Sequence, residues 1–139
     1  GAIYNLGELT ITESTLNNNT AKNGDGGAIH NNEGELTITE STLNNNTAQG
    51  KYGGGGAIHN WKGELTITES TLNNNTAKGY GGAIHNDEGG ELTITESTLN
   101  NNTADNGGAL YLNQKTKKYE SENCTFKDNK PDDVYEEKD

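Results

Sequence analysis

The chain has 139 residues, enough for one small domain, and Leu, Ile, Val and Phe fill only 21 of those positions, while Asp and Glu outnumber Lys by 21 to 10 to give a net charge of −11. Taken alone, this composition matches chains that stay unfolded, because so little apolar surface does not offset the conformational entropy lost on folding. Arg is absent and the lysines are scattered, which excludes a basic stripe that tracks nucleic acid, and no apolar run is long enough to cross a bilayer as a helix.

Order in the sequence reverses the expectation of disorder. The stretch GELTITESTLNNNTA recurs unbroken at Gly7 to Ala21, Gly34 to Ala48, Gly63 to Ala77 and Gly90 to Ala104. Each copy follows a GAI element, at Gly1 to Asn5, Gly27 to Asn31, Gly56 to Asn60 and Gly82 to Asn86, and a degenerate fifth unit begins at Gly108. Between equivalent alanines the period is 26, 29, 26 and 26 residues, and the changes in length fall in Gly-rich joints.

In chain order, the first predicted element of a unit is a strand near Ala2 to Asn5. The second, Leu9 to Thr12, alternates apolar and polar residues with period two, and the third, Thr15 to Leu16, resumes that alternation after a break at Glu13 and Ser14. A helix is excluded, since no 3.6-residue spacing exists and the intervening segments are rich in Asn, Gly and Thr. Three short strands in about 26 residues describe one rung of a right-handed parallel β-helix, an all-β solenoid of about five rungs, with boundaries near 1–26, 27–55, 56–81, 82–107 and 108–130. One rung has too small a core to stand alone. Stacked about 4.8 Å apart, identical rungs place Ile on Ile and Leu on Leu, and the backbone of each bonds to the next.

The inward positions are expected at Ile3, Leu9, Ile11 and Leu16 and their equivalents, down to Leu110 and Phe126. Asn19, Asn46, Asn75, Asn102 and Asn129 are expected to turn inward at a corner as a ladder of stacked amides. Cys124 takes the place of Ser14, Ser41, Ser70 and Ser97 and reads as a small corner residue. The segment 131–139 reads as an acidic tail that leaves the stack after Pro131. Gly1 opens inside a GAI element, so the first rung is expected either to follow further rungs or to dock on the end of another copy and build a filament.

GGAI at Gly26 to Ile29, Gly55 to Ile58 and Gly81 to Ile84, followed by LxxN at Leu16 to Asn19 and its equivalents and FKDN at Phe126 to Asn129, resembles the GGAI and FxxN repeats of the polymorphic membrane proteins of Chlamydia and adhesin-like surface repeats. Leu stands in place of Phe in four of the five FxxN positions. The resemblance implies a β-helical module displayed outside the cell, at the cell surface, with a part in attachment to a glycan or protein of a host or neighbouring cell.

Three outer features are candidates for function. Tyr4, His30, His59, His85 and Tyr111 lie outward on the first strand, and Tyr52, Trp61 and Tyr80 lie in the joints beside it, so aromatic rings and rung-to-rung variation meet on one edge, as sugar or protein binding requires. Three stacked histidines are also a transition-metal set, but neighbours in a column are expected to diverge, so no metal is assigned. Thr10, Thr12, Thr37, Thr39, Thr66, Thr68, Thr93 and Thr95 form a flat grid like the ice-binding faces of solenoid antifreeze proteins. Two Glu columns, beginning at Glu8 and Glu13, offer weak sites for Ca²⁺. Catalysis is not expected, because Arg is absent and the glutamates of the repeat recur rung after rung with none set apart by its surroundings.

Overall fold

The computed structural model describes residues 1–138. Every described strand pairs in parallel with its equivalent one repeat away, and the strands, numbered in chain order, fall into four ladders. The first holds β1 (Ile3–Asn5), β4 (Ile29–Asn32), β7 (Ile58–Trp61), β10 (Ile84–Asp87), β13 (Leu110–Leu112) and β16 (Val134–Glu136). The second holds β2 (Glu8–Thr12), β5 (Glu35–Thr39), β8 (Glu64–Thr68), β11 (Glu91–Thr95) and β14 (Lys118–Glu122). The registers put Ile11 on Ile38 on Ile67 on Ile94, with Leu9, Leu36, Leu65 and Leu92 one column away. The result is a β-solenoid of about five turns with a single apolar shaft, in which Ile29, Leu36, Ile38, Leu43 and their equivalents in the next two rungs are fully buried. Fifteen per cent aliphatic content suffices because each residue packs against copies of itself above and below.

Two positions correct the sequence reading of the strands. The expected strand at Thr15 to Leu16 is reduced to single bridges joining Thr15, Thr42, Thr71 and Thr98, and becomes a ladder only where β12 (Thr98–Asn100) meets β15 (Thr125–Lys127). The remaining ladder lies further on, in β3 (Thr20–Ala21), β6 (Thr47–Ala48) and β9 (Thr76–Ala77). These two-residue strands follow the Asn corner and turn Ala into a small second cluster. They fit because the second glycine of each GGAI lies against them. A Cβ on Gly27 would stand 2.7 Å from both the backbone N and O of Thr47.

The corners explain the fixed residue types. Gly26, Gly55, Gly81 and Gly107 have φ between 64 and 69°, where a Cβ on Gly26 would collide with the Ile29 carbonyl. Asn18, Asn45, Asn74 and Asn101 also adopt left-handed backbone, as Asn tolerates. Glu13, Glu40, Glu69 and Glu96 do so at φ near 47°, a less favourable choice, and the fifth rung replaces them with Asn123.

Of the segment expected as a tail, 131–139, the described part does not leave the stack. Strand β16 pairs with β13, setting Val134 on Leu110 and Tyr135 on Tyr111. Charge does not prevent this pairing, because the acidic residues accept the bonds that the last rung leaves open. Asp132 Oδ1 accepts from the backbone N–H of Gly107 (3.0 Å) and Gly108 (3.3 Å), Asp133 Oδ1 accepts from Asn129 Nδ2 (2.9 Å), and Glu137 accepts from the Tyr111 hydroxyl (3.0 Å). Asp139 lies outside the described residues.

Candidate functional site

The first-strand ladder carries an unbroken column of rings. Register pairs Tyr4 with His30, His30 with His59, His59 with His85 and His85 with Tyr111. Ring centroids follow one another at 5.0, 4.7, 4.9 and 5.1 Å, and Tyr135 continues the column at 5.2 Å. Strand alternation places these side chains on the face opposite the apolar shaft. They are not, however, the exposed row expected from sequence. Tyr4 is 58% exposed and His30 half-buried, whereas His59 is 4%, His85 7% and Tyr111 6% exposed. The cause is the Gly-rich joint, which folds over the column. Gly54 lies directly against the His85 imidazole, Tyr80 packs 5.5 Å from His85 and 4.7 Å from Tyr111, and Gly54 bridges to Tyr80 and Tyr80 to Asn106 in a short ladder of their own. Asp25 Oδ1 anchors this wall by accepting from the Gly54 N–H at 2.7 Å.

The column also does not diverge at its centre. Asp87, two residues after His85 on β10, shares its face, and its carboxylate lies between the two imidazoles. Oδ2 stands 3.3 Å from His59 Nε2 and Oδ1 stands 3.8 Å from His85 Nε2. On the far side of His59, Asp25 Oδ2 is 3.8 Å from Nδ1. Asp87 has no acidic counterpart in the two rungs before it, since the equivalent register positions are Asn32 and Trp61.

Electrostatics follow from this burial. Burial, and then the neighbouring His59, lower the His85 pKa to about 4 against partial opposition from Asp87, Asp25 and Glu137, so its imidazole is neutral at pH 7. His30 is lowered for the same two reasons, with Asp25 opposing. For Asp87, burial pushes the carboxyl up, but the hydrogen bond from His59 and the charges of the two histidines outweigh it and hold the carboxyl below its ordinary value. Burial, followed by the bond to Glu137, raises Tyr111. Among the described residues, the buried Nδ1 atoms of His59 and His85 have no hydrogen-bond partner.

Of the other aromatic candidates, Trp61 stands half-buried beside the histidines, on an open depression of about 330 Å³ that it shares with Asp25, His30, Asn32, His59 and Asp87. Its ring carries the Lys62 ammonium at 4.2 Å. Tyr52 is 69% exposed at the tip of the long joint, under Lys51, and Tyr4 lies at the first rung. The structure therefore brings His30, His59, His85 and Trp61 together, with Tyr4 against His30 at one end of the column and Tyr80 and Tyr111 against His85 at the other, and leaves Tyr52 apart. Asp25, Asn32 and Asp87 join this site although the sequence reading does not single them out. A signal for Asp87 exists, since two residues along a strand share a face and the repeat puts His85 beside His59.

The Thr residues of ELTIT stand in two columns, Thr10, Thr37, Thr66 and Thr93 and then Thr12, Thr39, Thr68 and Thr95, interrupted in rung five by Glu120 and Glu122. Glu8, Glu35, Glu64 and Glu91 stack beside them, with Lys118 at the next position. The corner asparagines form a continuous ladder in which the Oδ1 of Asn46, Asn75, Asn102 and Asn129 each accepts from the backbone N–H of the preceding Asn, at 2.9 Å in every case. A second amide ladder, Asn5, Asn31, Asn60 and Asn86, joined at 2.7–2.8 Å, goes beyond the sequence reading. These residues close each GAI strand, where a repeated Asn reads as an ordinary turn residue.

Parallel ladders in register, self-stacked core columns and amide ladders at two corners define a β-solenoid repeat protein. The chain belongs to the Chlamydia polymorphic membrane protein repeat family, whose model matches residues 13–32, 40–60, 69–87 and 96–113, more than half of the chain. Each match runs from the second corner of one rung into the first strand of the next, so it spans the Asn ladder, the glycine joint and the ring column together. Comparison with curated proteins and with solved structures gave no match.

Proposed function

We propose that the chain is a non-enzymatic, adhesin-like module of a cell-surface protein, a rigid stalk that presents one variable edge to a glycan or protein of another cell. The observation that carries this reading is the division of labour within a rung. Four copies of ELTITESTLNNNTA are identical, while differences between rungs gather in the joints near residues 22–25, 49–54 and 78–80 and at the strand ends 32–33, 61–62 and 87–89. These segments flank the first-strand ladder, the joints before it with Tyr52 and the strand ends after it with Trp61. Variation at one edge of an invariant rod is the pattern of a surface whose partner differs from that of its neighbours. Family membership supports display at the cell surface, and the absence of Arg and the repetition of every ELTIT and TES glutamate support a role without catalysis.

The test is binding of labelled protein to epithelial cells and to a glycan array. Wild type should bind saturably, Tyr52→Ala with Trp61→Ala should weaken binding about tenfold or more, and Thr39→Lys with Thr66→Lys on another face should leave it unchanged. Equal binding by the aromatic variant would remove this edge from the reading.

The two Thr columns, continuous over four rungs, favour a second reading, an ice-binding face. Thermal hysteresis in the wild type that is lost in Thr39→Lys plus Thr66→Lys would support it, and no hysteresis in the wild type would end it.

A further inference from the structure

The centre of the ring column holds more polar capacity than the fold uses. His85 is buried to nine-tenths of its side chain, makes no hydrogen bond through either ring nitrogen among the described residues, and directs Nε2 toward Asp87 at 3.8 Å. His59 presents Nε2 to the same carboxylate at 3.3 Å. One ligand atom from each of His59, His85 and Asp87 lies within 4.8 Å of the other two. A tetrahedral ion with bonds of about 2.0–2.1 Å has its ligand atoms roughly 3.3 Å apart. One pair already stands at that separation, and small side-chain rotations close the others.

We propose that His59, His85 and Asp87 bind one divalent transition-metal ion, of which Zn²⁺ is the representative, clamping the third rung to the fourth. The donor set selects the class of ion: two imidazoles and one carboxylate suit Zn²⁺, Cu²⁺, Ni²⁺ or Fe²⁺, and not Ca²⁺ or Mg²⁺, which require an all-oxygen shell. Asp25 stands where an outer partner for a metal-bound histidine would stand. Its Oδ2 is 3.8 Å from the unbonded His59 Nδ1, outside hydrogen-bond reach, and a shift of under about 1 Å would let it accept the Nδ1 proton and leave the Nε2 lone pair to the ion. Its other oxygen is fixed by the Gly54 N–H, so the orienting group is itself held. Two of the three ligands, His59 and Asp87, line the open depression that they share with His30 and Trp61, which gives water or an outside ligand a route to the site. Register explains why the site occurs once: the position of Asp87 is Asn32 in rung two and Trp61 in rung three. The proposal is independent of adhesion, because its ligands come from two adjacent rungs and no partner is needed.

The experiment titrates the chelator-treated full chain with ZnCl₂ by calorimetry and follows Tm and the visible spectrum with Co²⁺. Wild type should take up one ion per chain in the micromolar range, Tm should rise with metal concentration, and Co²⁺ should give the intense visible bands of four-coordination. Asp87→Asn places at this register the residue that rung two already carries, so the fold tolerates it. It and His85→Gln should each weaken binding at least about tenfold, while Glu40→Gln, remote on an acidic column, should change nothing. Absence of saturable uptake by the wild type would overturn the proposal, as would unchanged uptake by folded Asp87→Asn and His85→Gln, which would assign the ion to the acidic surface instead.

Discussion

Two columns of stacked polar side chains run through the same rungs with opposite outcomes. At the Asn corner, Asn102 Oδ1 accepts from both the backbone and the side chain of Asn75, at 2.9 and 3.1 Å, and its Nδ2 donates to Leu72 O and Asn129 Oδ1, both at 3.0 Å. A primary amide carries donors and acceptor together, so copies stacked in register satisfy one another and the ladder extends without limit. A neutral imidazole has one donor and one acceptor in the plane of its ring, and rings stacked face or edge do not bring nitrogen to nitrogen. The histidine column therefore leaves two buried Nδ1 atoms unpartnered and recruits Asp25 and Asp87 from outside the repeat. Repetition builds scaffold from self-complementary residues, and leaves reactive capacity where residues are not self-complementary.

Breaking the satisfied column should cost most. Asn75→Leu keeps the volume but leaves the Asn46 backbone N–H and the Leu43 carbonyl without partners in a buried corner, and reduces the Asn46 side-chain amide to its single bond to the Leu16 carbonyl. At about 1–3 kcal/mol for each buried group, the loss should be on the order of 4 kcal/mol in urea unfolding. Asn19→Leu, at the half-buried first rung, should lose about 1 kcal/mol. Equal losses at the two positions would contradict a ladder that depends on burial.

The histidine column should show itself through pH. The folded pKa of His85, about 4, lies below the 6.5 of an unfolded histidine, so the folded state disfavours the proton. Its contribution is therefore complete above about pH 6.5 and is lost as pH falls toward 4, to a limit of about 3 kcal/mol. Urea midpoints measured across that range should fall for the wild type and fall less for His85→Phe, which keeps a buried ring without a titrating group. Parallel curves would show that His85 is not held neutral.

Smaller effects sharpen the contrast. Ser70 Oγ accepts from the Ser41 N–H at 3.1 Å and donates to Thr68 O at 2.9 Å, so Ser70→Ala should cost about 1 kcal/mol. Thr66→Val on the outer grid should stay within about 0.5 kcal/mol. A larger loss there would mean that the Thr face contributes to the fold.

Much of the scaffold is legible in the sequence because its signals are local and repeated. The alternation of ELTIT and the recurrence of GAI place the two long ladders, and the period places like residue on like residue. The short Thr20–Ala21 strands are not legible, since two residues carry no periodicity and their place depends on glycines one rung away. Val134–Glu136 is hidden by its charged setting, which reads as solvated chain until Asp132 and Asp133 are seen accepting the last open bonds. For the ring column, the strand is legible and the cover is not. Alternation distinguishes shaft from outside, and says nothing of whether a joint such as Gly53–Gly54 folds back over the outside. Asp87 requires two steps at once, same-strand spacing and between-rung register.

Stacked amides in register hold the rungs together, and hydrogen exchange of the backbone amides of Asn46, Asn75 and Asn102 tests this most directly. Each donates to the side-chain oxygen of the Asn one rung along, at 2.9 Å, so all three should exchange only through global unfolding, as slowly as the amides of Leu36 and Leu65 in the core ladder. Exchange of these three at the rate of exposed loop amides, with the core ladder still protected, would show that the corner is not bonded from rung to rung and would contradict the amide ladder as the source of cohesion.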